Sequence, residues 1–201
     1  MSKVLVIKAN VKPEGQSRTY EIADTFIKEY HKEHPEDEII TLDLYKEGIR
    51  LLELGDLGAV FGPKNEESKN HPILKYAYQF AEADKYVVAA PMWNLSIPAI
   101  LKAYIDYISV TGITFKYTEN GPVGLCEGKK ALHITSRGGG YSEGFAANFE
   151  MGDRYLRTIF GFFGIKDYTT IAADNLDVDG LDAAAIVKEA SDKAKVLAKN
   201  F

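Results

Sequence analysis

One cysteine, Cys126, in 201 residues leaves no internal disulfide to be made, and the expectation is an incidental loop thiol in a reducing cytoplasm. Cationic excess is lacking as well. Lys and Arg number 24 against 29 Asp and Glu, a net charge of -5 with the basic residues scattered, which argues against nucleic acid and anionic membrane as partners. No apolar run is long enough to span a bilayer. The chain enters a strand-like run, Lys3-Val4-Leu5-Val6-Ile7, at once, so no signal peptide is expected, and Asn94-Leu95-Ser96 then reads as a false glycosylation match. Neither G-x-G-x-x-G nor G-x-x-x-x-G-K-[ST] occurs, which speaks against a Rossmann dinucleotide site and a P-loop. The four histidines form no metal or acid–base constellation: His31 and His34 fall in a charged helix end, His71 in a loop and His133 inside a strand.

What is present is a strict β/α alternation. Five runs of Val, Ile, Ala and Thr, at 3–9, 38–44, 85–91, 130–136 and 168–173, have the length of strands and lack polar alternation, as a parallel sheet covered on both faces requires. Ile22, Ala23, Phe26, Ile27 and Tyr30 line one face of a first helix. Leu101, Tyr104, Ile105 and Ile108 line one in a third, and 144–163 and 181–199 complete the helices. Residues 1–201 therefore read as one α/β domain, a flavodoxin-like, doubly wound five-stranded parallel sheet in the order 2-1-3-4-5 with helices on both faces. Any ligand would lie outside the carboxyl ends of strands 1, 3 and 4.

Two excursions depart from the minimal unit. The connection 46–70 carries Leu51, Leu52, Leu54, Leu57, Val60 and Phe61, too apolar for a solvated linker. Residues 112–122 alternate apolar side chains at 113, 115 and 117 before Asn120-Gly121, the pattern of a hairpin.

Three loops gather at the expected ligand edge. The first, Ala9 to Tyr20, holds Asn10 and runs into a helix whose opening, Ser17-Arg18-Thr19, offers backbone N–H groups and two hydroxyls; a plain N-cap and a phosphate cradle both account for it. The second, Pro91-Met92-Trp93-Asn94-Leu95, precedes Ser96, an expected N-cap, and Pro98; it would present amides and an aromatic to a flat heteroaromatic ring, although Met92 and Trp93 equally suit a core. In the third, Ser136-Arg137-Gly138-Gly139-Gly140, consecutive glycines permit close backbone approach and positive φ.

These three segments, together with Phe115-Lys116-Tyr117-Thr118-Glu119-Asn120-Gly121-Pro122, resemble the FMN-dependent NADH azoreductases, bacterial enzymes also called quinone reductases, over nearly the whole chain. Asn10 and Thr19 stand where serines are common in that family. The resemblance implies FMN as cofactor, with its phosphate in the first loop around Asn10, Ser17, Arg18 and Thr19. The ring would be gripped by Pro91, Met92, Trp93, Asn94 and Leu95 and touched at its other edge by Ser136, Arg137, Gly138 and Gly139. It also implies ping-pong hydride transfer from NADH to quinones and azo compounds, with no catalytic side chain and no metal. A homodimer is implied too, in which Tyr117 and Phe162 complete the acceptor pocket. The rival expectation is a flavodoxin-type one-electron carrier. Such carriers crowd acids around the flavin, whereas these loops hold Arg18, Arg137 and Lys116 with only Glu14, Glu119 and Glu143 as scattered acids.

Overall fold

A computed structural model describes residues 1–13 and 15–201, so that Glu14 lies outside the described residues. In chain order the elements are β1 (Lys3–Lys8), α1 (Arg18–Glu33), β2 (Glu38–Asp43), α2 (Leu57–Phe61), α3 (Leu74–Glu82), β3 (Lys85–Ala89) and α4 (Ala99–Ile108). There follow β4 (Phe115–Thr118), β5 (Gly121–Gly124), β6 (Lys130–Ser136), α5 (Gly152–Phe162), β7 (Asp167–Ala173) and α6 (Ala183–Ala198). Five strands pair in the order β2-β1-β3-β6-β7, every neighbour parallel. With the β4-β5 hairpin set aside, this is the 2-1-3-4-5 order expected of the sequence. No helix among the described residues is long and apolar enough to cross a membrane.

Side-chain alternation along each strand feeds two cores. Leu5, Ile7, Tyr86, Val88 and Ala131 face α3, α4 and α5, whereas Val4, Val6, Val87, Ala89, Leu132 and Ile134 face α1 and α6. Both faces of β1, β3 and β6 are thus buried, which is why these strands read as unbroken apolar runs.

Several local expectations are corrected. The segment 144–163 is not one helix: a 3-10 turn over Phe145–Phe149 precedes α5, and between them the Glu150 carboxylate accepts hydrogen bonds from the N–H groups of Gly152, Asp153 and Arg154. That charge on three orphan donors restarts the helix. The hairpin turns on Glu119-Asn120, because Thr118 pairs with Gly121, and positive φ falls on Gly121 rather than on both central residues as a type I′ turn demands. Ser96 does not cap α4; that position belongs to Pro98, without a side-chain bond. Cys126, by contrast, lies in a loop as expected, between β5 and β6; it is fully buried beside Tyr86, with its N–H bonded to Phe163 O, and burial pushes its thiol pKa up.

Only part of 46–70 packs on the core. Val60 is buried and Ile49, Leu52 and Ala59 lean on it, while Leu51, Leu54 and Phe61 stand 73%, 87% and 78% exposed. The segment is held by Arg50, which grips both Asp56 oxygens at 2.6 and 2.8 Å, and by the Lys64 ammonium, which donates to the carbonyls of Ala59, Val60 and Gly62.

Phe160 and Phe163 are buried and meet Phe80 edge-on, whereas Phe162 is half-buried against Phe115 at 4.6 Å between ring centroids. Phe163→Ala is accordingly expected to cost roughly 3–5 kcal/mol of folding stability, read as a lower midpoint in urea denaturation. A loss below about 1 kcal/mol would show that the site collapses without a cavity.

Candidate functional site

Register brings the three loops to one level. Lys8 pairs with Ala89 and Ala89 with Ile134, and the pairing runs on past the strands through Ala9 N to Ala89 O, Ala90 N to Ile134 O and Met92 N to Ser136 O. β1 and β3 are sheet neighbours whose following helices lie on opposite faces, so their loops diverge and leave a crevice. A cleft of about 180 Å³ lies there.

The first loop is locked internally. Asn10 donates from Nδ2 to Ser17 Oγ at 2.9 Å, its backbone N–H donates to the Tyr20 hydroxyl at 2.7 Å, and that hydroxyl returns a bond to Asn10 O at 3.0 Å. Burial pushes the Tyr20 phenol up to about 12, so it remains a donor. Ser17 is the N-cap of α1, accepting from Tyr20 N, and its own hydroxyl proton stays free to donate. The backbone N–H groups of Arg18 and Thr19 open the helix with no acceptor among the described residues. The Thr19 side chain is fully buried and its hydroxyl meets Ser136 Oγ at 2.6 Å, so it ties α1 to the end of β6.

The second loop is strained. Trp93 and Ser96 exchange backbone hydrogen bonds of 2.8 and 3.0 Å across a turn whose central residues, Asn94 and Leu95, have φ of 48° and 68°. Leu95 in this left-handed conformation stores strain of about 1–2 kcal/mol, and its carbonyl is pinned by Met151 N at 2.9 Å. Met92 and Trp93 are half-buried and line the cleft rather than joining either core.

In the third loop none of Gly138, Gly139 and Gly140 has a positive φ, and what a side chain there would meet is the side chains of its neighbours. A Cβ on Gly138 would lie 2.7 Å from Asp177 Oδ2, one on Gly140 2.8 Å from Asn175 Oδ1, and one on Gly139 3.1 Å from the Tyr141 ring.

Of the residues expected to hold a cofactor, Asn10, Arg18, Pro91, Met92, Trp93, Ser136, Arg137 and Gly138 line the cleft; Ser17, Thr19, Asn94, Leu95 and Gly139 stand behind or beside it. Tyr117 and Phe162 are elsewhere, joined to one another through Phe115. Sequence reasoning missed Lys12, Leu176 and Asp177, which complete the lining. The last two follow β7, the edge strand, where no motif marked them.

The charge count made on the loops does not describe this site. Arg18 pairs with Asp177 at 3.0 Å, and Arg137 is buried between Glu150 and Asp174, each at 3.4 Å. Acids from after β7 and before α5 thus neutralise the arginines. On the far side of Arg137 lies a larger cleft of about 570 Å³ between α5 and β7. Its polar floor is occupied: Asp153 takes bonds from Thr170 at 2.6 Å and Tyr168 at 3.3 Å, and the buried His133 sets Nδ1 2.9 Å from it. The topological crevice, with open donors, is the better ligand site.

Comparison with known proteins shows the fold and the family. A family model described as flavodoxin-like fold matches residues 2–197. Curated FMN-dependent NADH:quinone oxidoreductases of Clostridium perfringens and Clostridium beijerinckii are each 68% identical over 201 residues, the whole of both chains. The chain belongs to this family of FMN-dependent NADH:quinone oxidoreductases. Among solved structures of similar proteins, an azoreductase from Bacillus anthracis str. Sterne superposes with a TM-score of 0.90 at 38% identity, covering 100% of both chains. An FMN-dependent NADH-azoreductase from Bacillus anthracis str. Ames Ancestor, solved in complex with FMN, gives 0.88 at 29% identity over 98% of each.

Within this oxidoreductase fold the Asp153 cluster gives a pH test. Burial alone would raise the Asp153 carboxyl; the bonds from His133 and Thr170, with Arg157 alongside, outweigh it and hold it well below the usual carboxylate range. A depressed folded-state pKa contributes stability above the unfolded value, about 3.9, that is lost as pH falls through the folded one. Asp153→Asn should therefore cost about 1–3 kcal/mol at pH 7, and the gap from wild type should narrow below about pH 4. Urea denaturation at pH 7 and pH 3 checks this; an equal gap at both refutes the assignment.

Proposed function

We propose that this chain, as one flavodoxin-like domain, is an FMN-dependent enzyme passing two electrons as hydride from NADH to quinones and aromatic azo compounds in a ping-pong cycle. It works as a cytoplasmic homodimer. One observation carries the reading: the crevice at the topological switch point is built from the loops after β1, β3 and β6, in a chain that matches curated FMN-dependent NADH:quinone oxidoreductases from end to end.

The residues present fit FMN. The Arg18 and Thr19 N–H groups and the Ser17 hydroxyl would hold the single phosphate at the positive end of α1, a 16-residue helix. Pro91, Met92 and Trp93 would flank the ring on one side, Ser136 to Gly138 on the other. When bound, FMN supplies the ring nitrogen that takes and releases hydride, and the chain supplies position and polarity. The stiff Trp93–Ser96 turn fixes one wall without entropy loss on binding.

Support for the dimer comes from what this chain's own cleft leaves unused. Tyr117 is 68% exposed on the hairpin, Phe162 is half-buried and Phe61 bare, and neither Tyr117 nor Phe162 lines the cleft. A second copy would bury this surface and take the two aromatics into its acceptor pocket.

Heat release from the purified protein should yield FMN, and mixing with NADH alone should bleach the flavin absorbance in a stopped-flow cell. FAD on release, or a need for a separate reductase as in a flavodoxin-type carrier, overturns the reading. Phe162→Ala should keep FMN content and raise KM for aromatic acceptors several-fold. A monomer by light scattering with full quinone turnover would sink the shared pocket.

A further inference from the structure

We propose that Asp174 is a positioning residue for the reduction of the flavin: it fixes the glycine loop so that three consecutive backbone N–H groups are presented as donors. The proposal rests on the FMN reading of the cleft.

Residues 137–142 lie along the segment that follows β7, and their bonding is one-sided. Arg137 N donates to Ala173 O at 2.9 Å. From there on the loop's carbonyls are taken: Arg137 O by Leu176 N at 3.1 Å, Gly138 O by Asp177 N at 3.0 Å and Gly139 O by Asn175 N at 3.1 Å. All peptide bonds are trans among the described residues. In a trans peptide the N–H points opposite to the preceding C=O. The N–H groups of Gly138, Gly139 and Gly140 therefore point away from 174–177, and none of the three finds an acceptor among the described residues. All three glycines are half-buried, and Gly138 lines the cleft.

Asp174 holds this arrangement at its far end. Its Oδ2 accepts from Tyr141 N at 3.0 Å and Ser142 N at 2.7 Å, while Oδ1 stands 3.4 Å from Arg137 Nη1. One carboxylate, its side chain only 14% exposed, thus joins the first residue of the loop to the last two. Charge-assisted bonds of this kind are about twice as strong as neutral ones. Adjacent Asn175 adopts φ 63° and sets its Oδ1 2.8 Å from where a Cβ on Gly140 would stand.

Donors fixed before the reaction favour whichever state carries more negative charge. A flavin ring gains electron density at its polar edge on reduction, so the N–H groups of this loop that reach it, first that of Gly138 in the cleft lining, would bind the reduced ring more tightly than the oxidised one. On the FMN reading, phosphate affinity would be set elsewhere, at the start of α1. Asp174 should therefore govern the reduction potential while leaving FMN affinity almost alone, a separation that a merely structural role would not produce.

The test compares wild-type, Asp174→Asn, Asp174→Glu and Ser142→Ala holoenzymes by FMN titration and by two-electron midpoint potential. In the isosteric Asn variant, FMN affinity should stay within about threefold. The preference for the reduced ring should fall about tenfold, a midpoint about 30 mV more negative for a two-electron couple. Asp174→Glu, which keeps the charge and both oxygens, should recover part of the shift and preserves the test if Asn does not fold. Ser142→Ala keeps the N–H that Asp174 accepts and should leave the potential unchanged. FMN binding by wild type tests the cofactor reading by itself. With that binding in place, unchanged potentials in both Asp174 variants, or an equal shift in Ser142→Ala, overturn the role of Asp174.

Discussion

The parallel pairing of β1, β3 and β6 is the constraint on which the site depends. Their ladder continues past the end of β3, to Met92 N on Ser136 O, so the loops leave the sheet at one height. Because both faces are buried, a slip of one residue would turn Leu5, Ile7, Tyr86 and Val88 from one core into the other. Cleft geometry is thereby fixed by the hydrophobic effect acting far from it.

Above that ladder the loops are made rigid by hydrogen bonds rather than by packing. Asn10, Ser17 and Tyr20 lock the first, the Trp93–Ser96 turn the second, and the segment after β7 the third. Strain at Leu95 persists because Met151 N holds its carbonyl and the bridge fixes both ends. Of the three side-chain cations that line the cleft, Arg18 and Arg137 each face a carboxylate and Lys12 is the third. What the cleft offers is oriented backbone N–H, at the start of α1 and along the glycines, which suits a ligand with a phosphate at one end and a polar ring at the other.

The sequence by itself determined the strands, their order, the loops that meet and the family. Strand runs and helix faces are local, β/α alternation and crossover handedness imply a doubly wound sheet, and 2-1-3-4-5 is the leading order for so short a chain. Eight of the expected residues, from Asn10 to Gly138, line the cleft from loops or the element ends beside them, whose place is set by the strands. Tertiary structure alone decided the rest. Asp174 and Asp177 reach the site across more than 30 residues from the glycine loop, Arg137 is enclosed by acids from two other segments, and the glycines lie beside the side chains of Asn175 and Asp177. Such partners leave no periodic or spacing signal, because a hydrogen bond depends on where two backbones meet and not on their separation along the chain.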